Sequence, residues 1–471
     1  MRESAEGDPI HSLKFINLTR QIEIGANSYL LEIGDRGIVL DSGMHPKNQD
    51  EDALPNFKCL ANRPVDAILI SHAHQDHIGT LPILMRRHPE APVFMTAPTA
   101  EIGDTLLHNS VNVMTRQREE RDASSMYPLF THREADRAAD RWHNCTLRQT
   151  YNLAGERVSA GASAEVTFEF LDAGHVLGAA GILIRAQGRT IFYTGDVHFD
   201  DQTIMQHAVF PESGVDVLII ETTHGNTPLP ENFSRSAEQR RLADAIDRAF
   251  TLGGCILMPV FALGKTQETL ATIHQLRREK LLGNFPIYIG GLSSKMTQIY
   301  DRHAASSRRL LPRLQLLEEV APFILNAQTI RDAPAQPGRI YALSSGMMTP
   351  KTLSNIFARR VLEDPQHSIF FVGYADPASP AGVLKSAKQG DPVQLDEDEP
   401  MQPLRCNIEK FQFSAHASRE SIMDYVKKLA PKKIILVHGD PLAVEWVHSQ
   451  LIAALPSSEV IVPKPGAEVE L

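Results

Sequence analysis

The chain has 471 residues, a hydrophobic fraction of 42%, a charged fraction of 22% and a formal net charge of −10. This length predicts two domains, or one large domain with an insertion, because single hydrophobic cores rarely grow so large. The negative charge argues against a protein that depends on non-specific nucleic-acid binding, although a metal-filled groove supplies positive charge locally. The sequence has no apolar run long enough to span a membrane, and residues 1–15 have no apolar signal core. We therefore expect neither a membrane span nor secretion.

The cysteines argue against secretion as well. Cys59, Cys145, Cys255 and Cys406 lie far apart and form no C-x-x-C pair. This spacing argues against a disulfide framework and against a zinc site built from cysteines, and it predicts a cytoplasmic location. Histidine is the other side chain with high affinity for transition metals, and the sequence concentrates it in one short stretch.

The first part of the chain, residues 1–222, alternates apolar strand-like runs with polar turns. The loops at strand ends are rich in His, Asp, Gly and Thr, which is where α/β proteins place their chemistry. The predicted strands lie at 27–43, where two runs flank a Gly-Asp turn, and at 65–71, 165–174, 181–196 and 215–223; helices are predicted at 78–88 and over much of 101–148.

From residue 223 the pattern changes to apolar strands that alternate with amphipathic helices, which predicts a parallel sheet of its own. The predicted helices lie at 234–254, from about 263 onward and at 293–307, and the predicted strands lie at 255–260, 285–291, 338–347 and 368–374.

The last part of the chain returns to the earlier style. An acidic loop at 390–400 is followed by 406–418 and 431–440, each of which reads as a strand followed by a histidine in a turn of small residues. We therefore expect residues 223–405 to be a domain inserted between 1–222 and 406–471.

A cluster of histidines follows the predicted strand at 65–71. His72, His74, Asp76 and His77 form the pattern H-x-H-x-D-H in the stretch "SHAHQDHIGT". Imidazole and carboxylate groups are natural ligands of zinc and similar ions. Residues i and i+2 of an extended turn point the same way, so His72 and His74 can hold one ion while Asp76 and His77 face a second. The alternative is a polar loop with ordinary surface histidines, which this spacing does not favour.

Four other strand ends each carry one polar residue: Asp41, His175, Asp196 and His438. Asp196 can bridge two ions with its two oxygens. Asp41 can accept a hydrogen bond from a metal ligand without contacting the ion itself. Each residue alone is explained as well by a structural role. Together, five strand ends in order carry Asp, the H-x-H-x-D-H cluster, His, Asp and His, which favours a binuclear metal site.

This series resembles the metallo-β-lactamase superfamily, and specifically its β-CASP nucleases. The superfamily resemblance rests on Asp41, residues 72–77, His175 and Asp196. The branch resemblance rests on later stretches, namely "ETTHG" with Glu221, "LMPVFALGKTQETL", "ALSSGMM", "FFVGY", "FSAHAS" with His416, and "LVHGD" with His438. It implies an α/β protein, a metallo-β-lactamase αββα sandwich with an inserted β-CASP α/β domain that contains a parallel sheet flanked by helices.

The resemblance also implies a ligand set and catalytic roles. Two zinc ions are expected, with Mn²⁺ as the alternative metal. One ion would be held by His72, His74 and His175 and the other by Asp76, His77 and His438, with Asp196 as the bridge. Asp76 is counted among the catalytic residues as well. His416 would be the general acid that protonates the leaving sugar oxygen, and Glu221 would keep its imidazole oriented and charged.

The departures from the family pattern lie on the expected phosphate-binding face. Lys265 stands where these nucleases usually carry arginine, so the charge is kept but the two-pronged grip on phosphate is lost. Basic candidates for the path of the substrate strand are Lys265, Lys295 and Arg277, although such residues are more often simply solvated charges. The predicted substrate-binding residues are Lys265, Lys295, Ser344, Ser345, Gly373 and Tyr374.

The favoured function is hydrolysis of single-stranded RNA, either within the strand or from its 5′ end. His438 supports RNA over DNA, because branch members that act on DNA typically lack a histidine at that position. The alternatives are a DNA nuclease, a small-molecule ester or thioester hydrolase, and a nuclease-like RNA-binding protein with a weakened site. The oligomeric state is left open, with a homodimer as one option.

Overall fold

The computed structural model describes residues 13–120, 126–159 and 166–471. The described residues form two compact units. The first contains the described residues up to Phe199, His207–Pro228 and His416–Leu471, and the second contains Asp200–Gln206 and Leu229–Ala415. The domain boundaries that we predict after residues 222 and 405 stay a prediction.

Three sequence features fall partly outside the described residues. They are the N-terminal stretch without a signal core, over residues 1–12, the predicted helical region, over 121–125, and the start of the predicted strand at 165–174. In the part of the chain that the structure describes, no helix combines the length and the apolarity that crossing a bilayer requires.

The first segment of the chain supplies strands β1–β11 and helices α1–α4. The strands are β1 (Leu13–Asn17), β2 (Tyr29–Ile33), β3 (Arg36–Leu40), β4 (Ala67–Leu69), β5 (Val93–Thr96), β6 (Trp142–Cys145), β7 (Thr150–Asn152), β8 (Thr167–Asp172), β9 (Ala180–Ala186), β10 (Arg189–Tyr193) and β11 (Val217–Glu221). The helices are α1 (Gln75–Ile78), α2 (Leu81–Arg87), α3 (Ala97–Glu120) and α4 (His132–Ala139).

The two later segments complete the fold. The inserted segment contains α5 (Arg235–Thr251), β12 (Ile256–Pro259), α6 (Lys265–Arg278), β13 (Ile287–Gly290), α7 (Gly291–Arg302), α8 (Leu316–Glu319), β14 (Phe323–Leu325), α9 (Thr329–Asp332), β15 (Ile340–Leu343), α10 (Leu353–Val361), β16 (Ser368–Phe371), α11 (Pro380–Ser386), β17 (Pro392–Val393), β18 (Gln402–Pro403) and β19 (Asn407–Lys410). The last segment contains α12 (Arg419–Leu429), β20 (Lys433–Val437), α13 (Pro441–Ala454), β21 (Glu459–Ile461) and β22 (Glu468–Glu470).

Two sheets pack face to face in the first unit. One has the strand order β22-β1-β2-β3-β4-β5-β6 and the other has the order β21-β20-β11-β10-β9-β8-β7. Their inner faces share one core, to which Phe15 and Leu69 contribute from the first sheet and Ile182 and Val217 from the second. Residues of α2–α4 pack on the outer face of the first sheet, and residues of α12 and α13 pack on that of the second. This layer order confirms the predicted αββα sandwich.

The register of the sheets brings the polar strand ends together. The predicted hairpin is present, because β2 and β3 pair antiparallel with Tyr29 opposite Leu40. Strands β3, β4 and β5 then run parallel, and in the second sheet β10, β11 and β20 run parallel. Parallel strands end at the same edge of a sheet, so the residues that follow them gather at one edge of the sandwich.

The inserted unit is built around a parallel sheet, as the alternation of strands and helices predicts. Its strand order is β14-β13-β15-β12-β16-β19, and each neighbouring pair runs parallel. Near-continuous apolar runs such as Ile256–Pro259 are buried on both faces, which is typical of strands covered by helices on each side.

Several short strands, among them β1, β5, β7 and β14, have no counterpart in the sequence prediction, and one strand lies where we predict helix. Strand β6 lies within 101–148, where we predict mostly helix, and it pairs in parallel with β5. Its residues His143 and Asn144 are exposed, so the run lacks the apolar alternation that marks a half-buried strand. The pairing with β5 determines its conformation, and local sequence does not reveal that pairing.

The shared core of the sandwich makes a direct prediction about stability. Phe168 is fully buried and its ring lies 4.9 Å from that of Phe94, measured between centroids. Phe168→Ala should therefore lower the free energy of unfolding of this unit by about 3–5 kcal/mol, because it removes a large buried side chain and leaves a cavity. Leu442→Ala, at a side chain that is 67% exposed, is the control and should change stability by less than about 0.5 kcal/mol. Urea denaturation followed by circular dichroism measures both, and equal effects would contradict the assigned core.

Candidate metal centre

The structure gathers the predicted ligands at one edge of the sandwich. Asp41 follows β3, the residues 72–77 follow β4, Asp196 lies three residues after β10, and His438 follows β20 directly. His72, His77, His175, Asp196 and His438 are buried. Polar side chains crowded this deeply need partners, because an unpaired buried polar group is costly.

Three imidazoles and one carboxylate form the first group. The Nδ1 atom of His74 lies 3.0 Å from Nε2 of His72 and 3.1 Å from Nε2 of His175. The Oδ2 atom of Asp196 lies 3.4 Å from Nε2 of His72 and 3.6 Å from Nε2 of His175. The four ligand atoms thus converge on one point and are a set that could hold a metal ion.

A second group lies on the other side of the Asp196 carboxylate. Its Oδ1 atom lies 3.3 Å from Nε2 of His77 and 3.3 Å from Nδ1 of His438. The Oδ2 atom of Asp76 lies 3.3 Å from Nε2 of His438 and 3.8 Å from Nε2 of His77. Asp76, His77 and His438 could hold a metal ion between them. One oxygen of Asp196 therefore faces each group.

The donor set fits a pair of metal ions. The Nδ1 atom of His74 has two ring nitrogens at hydrogen-bonding distance, and one shared proton cannot satisfy all three lone pairs, whereas a cation between them can. Asp196 Oδ1 is buried, and the two ring nitrogens that lie 3.3 Å away are not placed to form a hydrogen bond with it, so within the described residues it has no hydrogen-bond partner. A bound metal ion would satisfy such a buried carboxylate oxygen, which the protein atoms alone do not.

The first group is held in the protonation state that metal binding requires. Burial lowers the pKa of His72 well below its ordinary value, and the neighbouring His77 adds to this effect. Burial also lowers the pKa of His74 to about 4. Both rings are therefore neutral near pH 7, with a nitrogen lone pair available for a metal.

A single buried carboxylate, that of Asp41, holds several of these elements in place. Its oxygens accept hydrogen bonds from the Ser71 amide and hydroxyl, both at 2.7 Å, from His77 Nδ1 at 2.8 Å and from the Tyr193 hydroxyl at 2.7 Å. The bond from His77 places a proton on Nδ1, so Nε2 is the nitrogen that faces the second group. Burial lowers the pKa of His77, but the carboxylates of Asp196, Asp76 and Asp41 outweigh it and raise the pKa well above its ordinary value, so a metal ion would have to replace the Nε2 proton.

The hydroxyl of Ser71 links Asp41 to His72 and fixes the tautomer of His72 in the same way. Because this hydroxyl donates to Asp41, it accepts from His72 Nδ1 at 3.1 Å, which leaves the Nε2 lone pair of His72 facing the first group. Asn27 fixes the loop that carries Asp76, because its main-chain N–H donates to the Asp76 main-chain carbonyl at 2.9 Å. A Cβ atom at Gly43 would lie 1.8 Å from that carbonyl oxygen, so only glycine fits there.

Sequence reasoning missed the residues that orient the ligands. Ser71 directly precedes the histidine cluster, which is a weak signal, and Tyr193 ends an apolar strand with no signal at all. Thr223 is a third case, because its hydroxyl lies 2.9 Å from Nδ1 of His438 across more than two hundred residues of sequence. Such partners become visible only when the strand order is known.

Glu221 and His416 form a pair beside the two groups. The His416 Nδ1 atom lies 3.2 and 3.1 Å from the two Glu221 oxygens and 3.8 Å from Asp196 Oδ2. Glu221 is fully buried, whereas the side chain of His416 is 20% exposed. Asp76 is exposed to the same extent, so His416 and Asp76 lie on the accessible side of the centre.

The electrostatics of this pair favour a charged imidazole. Burial alone would lower the pKa of His416, but the carboxylates of Glu221 and Asp196 outweigh it and raise the pKa to about 9. His416 therefore carries a proton near pH 7. A protonated imidazole at the accessible side of a polar site is suited to donate that proton to a reacting group.

The inserted unit gathers most of the predicted substrate-binding residues at the carboxyl ends of its strands. Lys265 starts α6 after β12, and its Nζ donates to the carbonyl of Phe413. Gly373 follows β16, and the Lys265 side chain passes beside it. Burial, with the nearby Arg235, lowers the pKa of Lys265 to about 7. The other predicted residues at these ends are Ser344 and Ser345, which follow β15, Tyr374, which is 37% exposed, and the exposed Lys295 in α7.

Arg277 does not join this set. It lies near the other end of α6, where its guanidinium donates to the Phe285 carbonyl at 2.6 Å and covers the Phe285 ring. A helix rises about 1.5 Å per residue, so roughly 18 Å separate its position from that of Lys265. Its contacts are those of a residue that secures the end of the helix.

Three family models match the chain in order. A model described as "Metallo-beta-lactamase superfamily domain" matches residues 30–222, one described as "Beta-Casp domain" matches 266–384, and one described as "Zn-dependent metallo-hydrolase RNA specificity domain" matches 401–463. The first model covers Asp41, His72 and Asp196, and the last covers His416 and His438.

Curated relatives are similar over nearly the whole chain. The "Endoribonuclease YSH1" of Eremothecium gossypii is 27% identical over 454 residues, which are 94% of this chain and 57% of the relative. The "RNase J-like protein" of Methanocaldococcus jannaschii is 28% identical over 424 residues, 89% of this chain and 90% of the relative. The "Cleavage and polyadenylation specificity factor subunit 3" of Dictyostelium discoideum is 27% identical over 460 residues, 95% of this chain and 56% of the relative. The chain thus spans a little more than half the length of the first and the third of these relatives.

A solved structure has the same fold. The "Crystal Structure of a Protein of Unknown Function from Enterococcus faecalis V583" aligns with a TM-score of 0.54 and 14% identity. The alignment covers 98% of this chain and all of that one. At this identity the likeness concerns the fold alone.

The contacts of Asp41 predict how the centre responds to one substitution. Asp41→Asn should weaken metal binding by about 10- to 100-fold, because an amide cannot accept all four hydrogen bonds and His77 loses its anionic partner. Competition with a chromophoric chelator, followed by metal analysis, measures the affinity. Asp35→Asn, at an exposed turn, makes the same charge change and should have no effect. Unchanged affinity in Asp41→Asn would contradict the role of this carboxylate.

Proposed function

Because the chain belongs to the β-CASP branch of the metallo-β-lactamase superfamily, we propose that it is a metal-dependent ribonuclease that hydrolyses phosphodiester bonds of single-stranded RNA. The observation that carries this proposal is the Glu221–His416 pair beside the metal centre. A sugar alkoxide is a poor leaving group and needs a proton, whereas the thiolate released from a thioester does not. A charged imidazole at this place is therefore better suited to a phosphodiester than to a thioester.

The geometry supports a division of the ligands between two ions. His72, His74 and His175 would hold one ion, and Asp76, His77 and His438 would hold the other, with Asp196 between them. Five imidazoles and two carboxylates favour zinc over magnesium, with manganese as the alternative. Asp41, Ser71 and Thr223 would fix the tautomers and orientations of these ligands.

Two bound zinc ions would lower the pKa of a water molecule and neutralise charge on the phosphodiester. Around them the residues of the chain position the reacting groups. His416 donates its Nε2 proton to the leaving sugar oxygen as the P–O bond breaks. Glu221 keeps the ring oriented through Nδ1 and favours its charged form before the proton is transferred. Asp196 and Asp76 would supply the carboxylate ligands that help hold the ions in place.

Three observations support RNA as the substrate. The model that matches 401–463 is described as an RNA specificity domain, and it covers both His416 and His438. Two of the relatives are named as an endoribonuclease and an RNase J-like protein. The basic and small residues at the strand ends of the inserted unit offer donors to a phosphate backbone. Cleavage within the strand and cleavage from the 5′ end are both compatible with this site.

The location and the assembly of the protein stay predictions. The cysteines are free, and Cys145, Cys255 and Cys406 are buried, in keeping with the predicted cytoplasmic location. A homodimer remains one option for the assembly.

Removing the proposed acid gives a sharp test. His416→Ala should retain both metal ions but cleave RNA at least about 10²-fold more slowly, because the leaving oxygen receives no proton. His143→Ala, which removes an exposed histidine at the edge of the first sheet, is the matched control and should cleave at the wild-type rate. Single-turnover rates on a labelled RNA, measured beside metal analysis, decide the matter. A rate for His416→Ala equal to that of the wild type would remove the acid role.

Substrate preference is tested with one sequence in two chemical forms. Labelled single strands of RNA and DNA with identical base order should be compared at the same enzyme and metal concentrations. We expect RNA to be cut faster, and faster cutting of DNA would reverse the proposed preference. Turnover of a generic ester or thioester, without cleavage of either strand, would favour the small-molecule alternative.

A further inference from the structure

The two residues that follow Asp196 contact both members of the Glu221–His416 pair, called the acid pair below. The Val197 amide donates to Glu221 Oε1 at 2.7 Å, and the Val197 carbonyl accepts from the Ala417 amide at 2.6 Å. The Nδ1 atom of His198 lies 3.1 Å from the carbonyl oxygen of His416. These contacts link the bridging carboxylate of the metal centre to the acid pair through adjacent residues.

The direction of the His198 contact is fixed by its chemistry. A carbonyl oxygen can only accept, so Nδ1 of His198 is protonated and donates a hydrogen bond to the main-chain carbonyl of His416. His198 is 7% exposed. A hydrogen bond in so buried a place is strengthened by the low local dielectric. The imidazole of one histidine thus holds the main chain of another.

The backbone of His198 provides a rigid base for this contact. Its amide donates to the Ala173 carbonyl at 2.9 Å, and its carbonyl accepts from the Ala208 amide at 2.8 Å. Neither bond involves the side chain. Replacing the imidazole should therefore leave the path of the chain at His198 unchanged.

His416 is consequently held at two points. Glu221 fixes the ring through Nδ1, and His198 fixes the carbonyl group of the same residue. Proton transfer depends on the distance and the angle between donor and leaving oxygen, and a displacement of about 1 Å can cost 10²-fold in rate. A ring held by Glu221 alone could still shift together with its backbone.

We propose that His198 is a positioning residue for proton donation: it fixes the main chain of His416 so that the imidazole meets the leaving sugar oxygen. This inference rests on the proposed function, because it assigns His198 a part in the same reaction. It predicts a specific defect. Without the His198 side chain, only the cleavage of bonds whose leaving group needs a proton is slowed.

The test uses RNAs in which the oxygen at the mapped cleavage position is replaced by sulfur, at the 3′-bridging position in one RNA and at the 5′-bridging position in the other. Whichever position departs then leaves as a thiolate, which needs no proton near neutral pH because thiols ionise at about pH 8–9. His198→Ala should lower kcat on the all-oxygen RNA by about 10-fold or more. It should leave kcat on the sulfur-substituted RNA, KM and metal content within about twofold of the wild type.

Two further variants separate positioning from bulk. In His198→Asn the amide nitrogen occupies nearly the place of Nδ1, so the hydrogen bond and most of the rate on all-oxygen RNA should return. In His198→Gln the donor is one methylene further from the backbone, and the rate should stay low. Rescue by Gln but not by Asn would overturn the inference.

The outcomes also distinguish this inference from the proposed function. If the wild type fails to cleave RNA, the proposed function itself is wrong. If the wild type cleaves RNA and His198→Ala is equally fast, only the positioning role is wrong. If His198→Ala loses the same factor on both RNAs, or loses metal, His198 is a structural residue and the inference is overturned.

Discussion

The metal centre depends on one buried carboxylate that accepts four hydrogen bonds. Asp41 is fully buried, and an isolated anion there would be strongly destabilised. Ser71, His77 and Tyr193 supply the donors, and they come from three different places in the chain. The hydrogen bonds that stabilise the Asp41 carboxylate also connect the ends of β3, β4 and β10 to one another. Stability and ligand orientation therefore come from a single set of contacts.

The two sheets of the sandwich supply different residues of the metal centre. The first sheet supplies Asp41 and the histidine cluster, and the second supplies Asp196, Glu221 and His438, which follow or end parallel strands. Asp196 is directed at both groups of ligands through its two oxygens. The residues immediately after it contact Glu221 and His416, so the metal centre and the Glu221–His416 pair share one short piece of backbone.

The sequence is informative about the strands and the ligands but not about the residues that hold them. Apolar runs and their turns predict the hairpin and the parallel sheet of the insert, because burial determines these patterns, whereas the αββα layers are implied only by the family resemblance. The crowding of His72, His74, Asp76 and His77 is equally visible. Thr223, Tyr193 and His198 are not, because each acts through a partner that is distant in sequence. Strand β6 is missed for the same reason: its pairing, and not its composition, makes it a strand.

The central claim is that the ligands of the metal centre hold two ions bridged by Asp196. Zinc-edge anomalous diffraction from crystals grown with zinc tests this claim most directly. Two peaks about 3.5–4 Å apart are expected. One should lie about 2.1 Å from the ring nitrogens of His72, His74 and His175, and the other at a similar distance from those of His77 and His438. A single peak, or peaks that Asp196 does not contact, would contradict it.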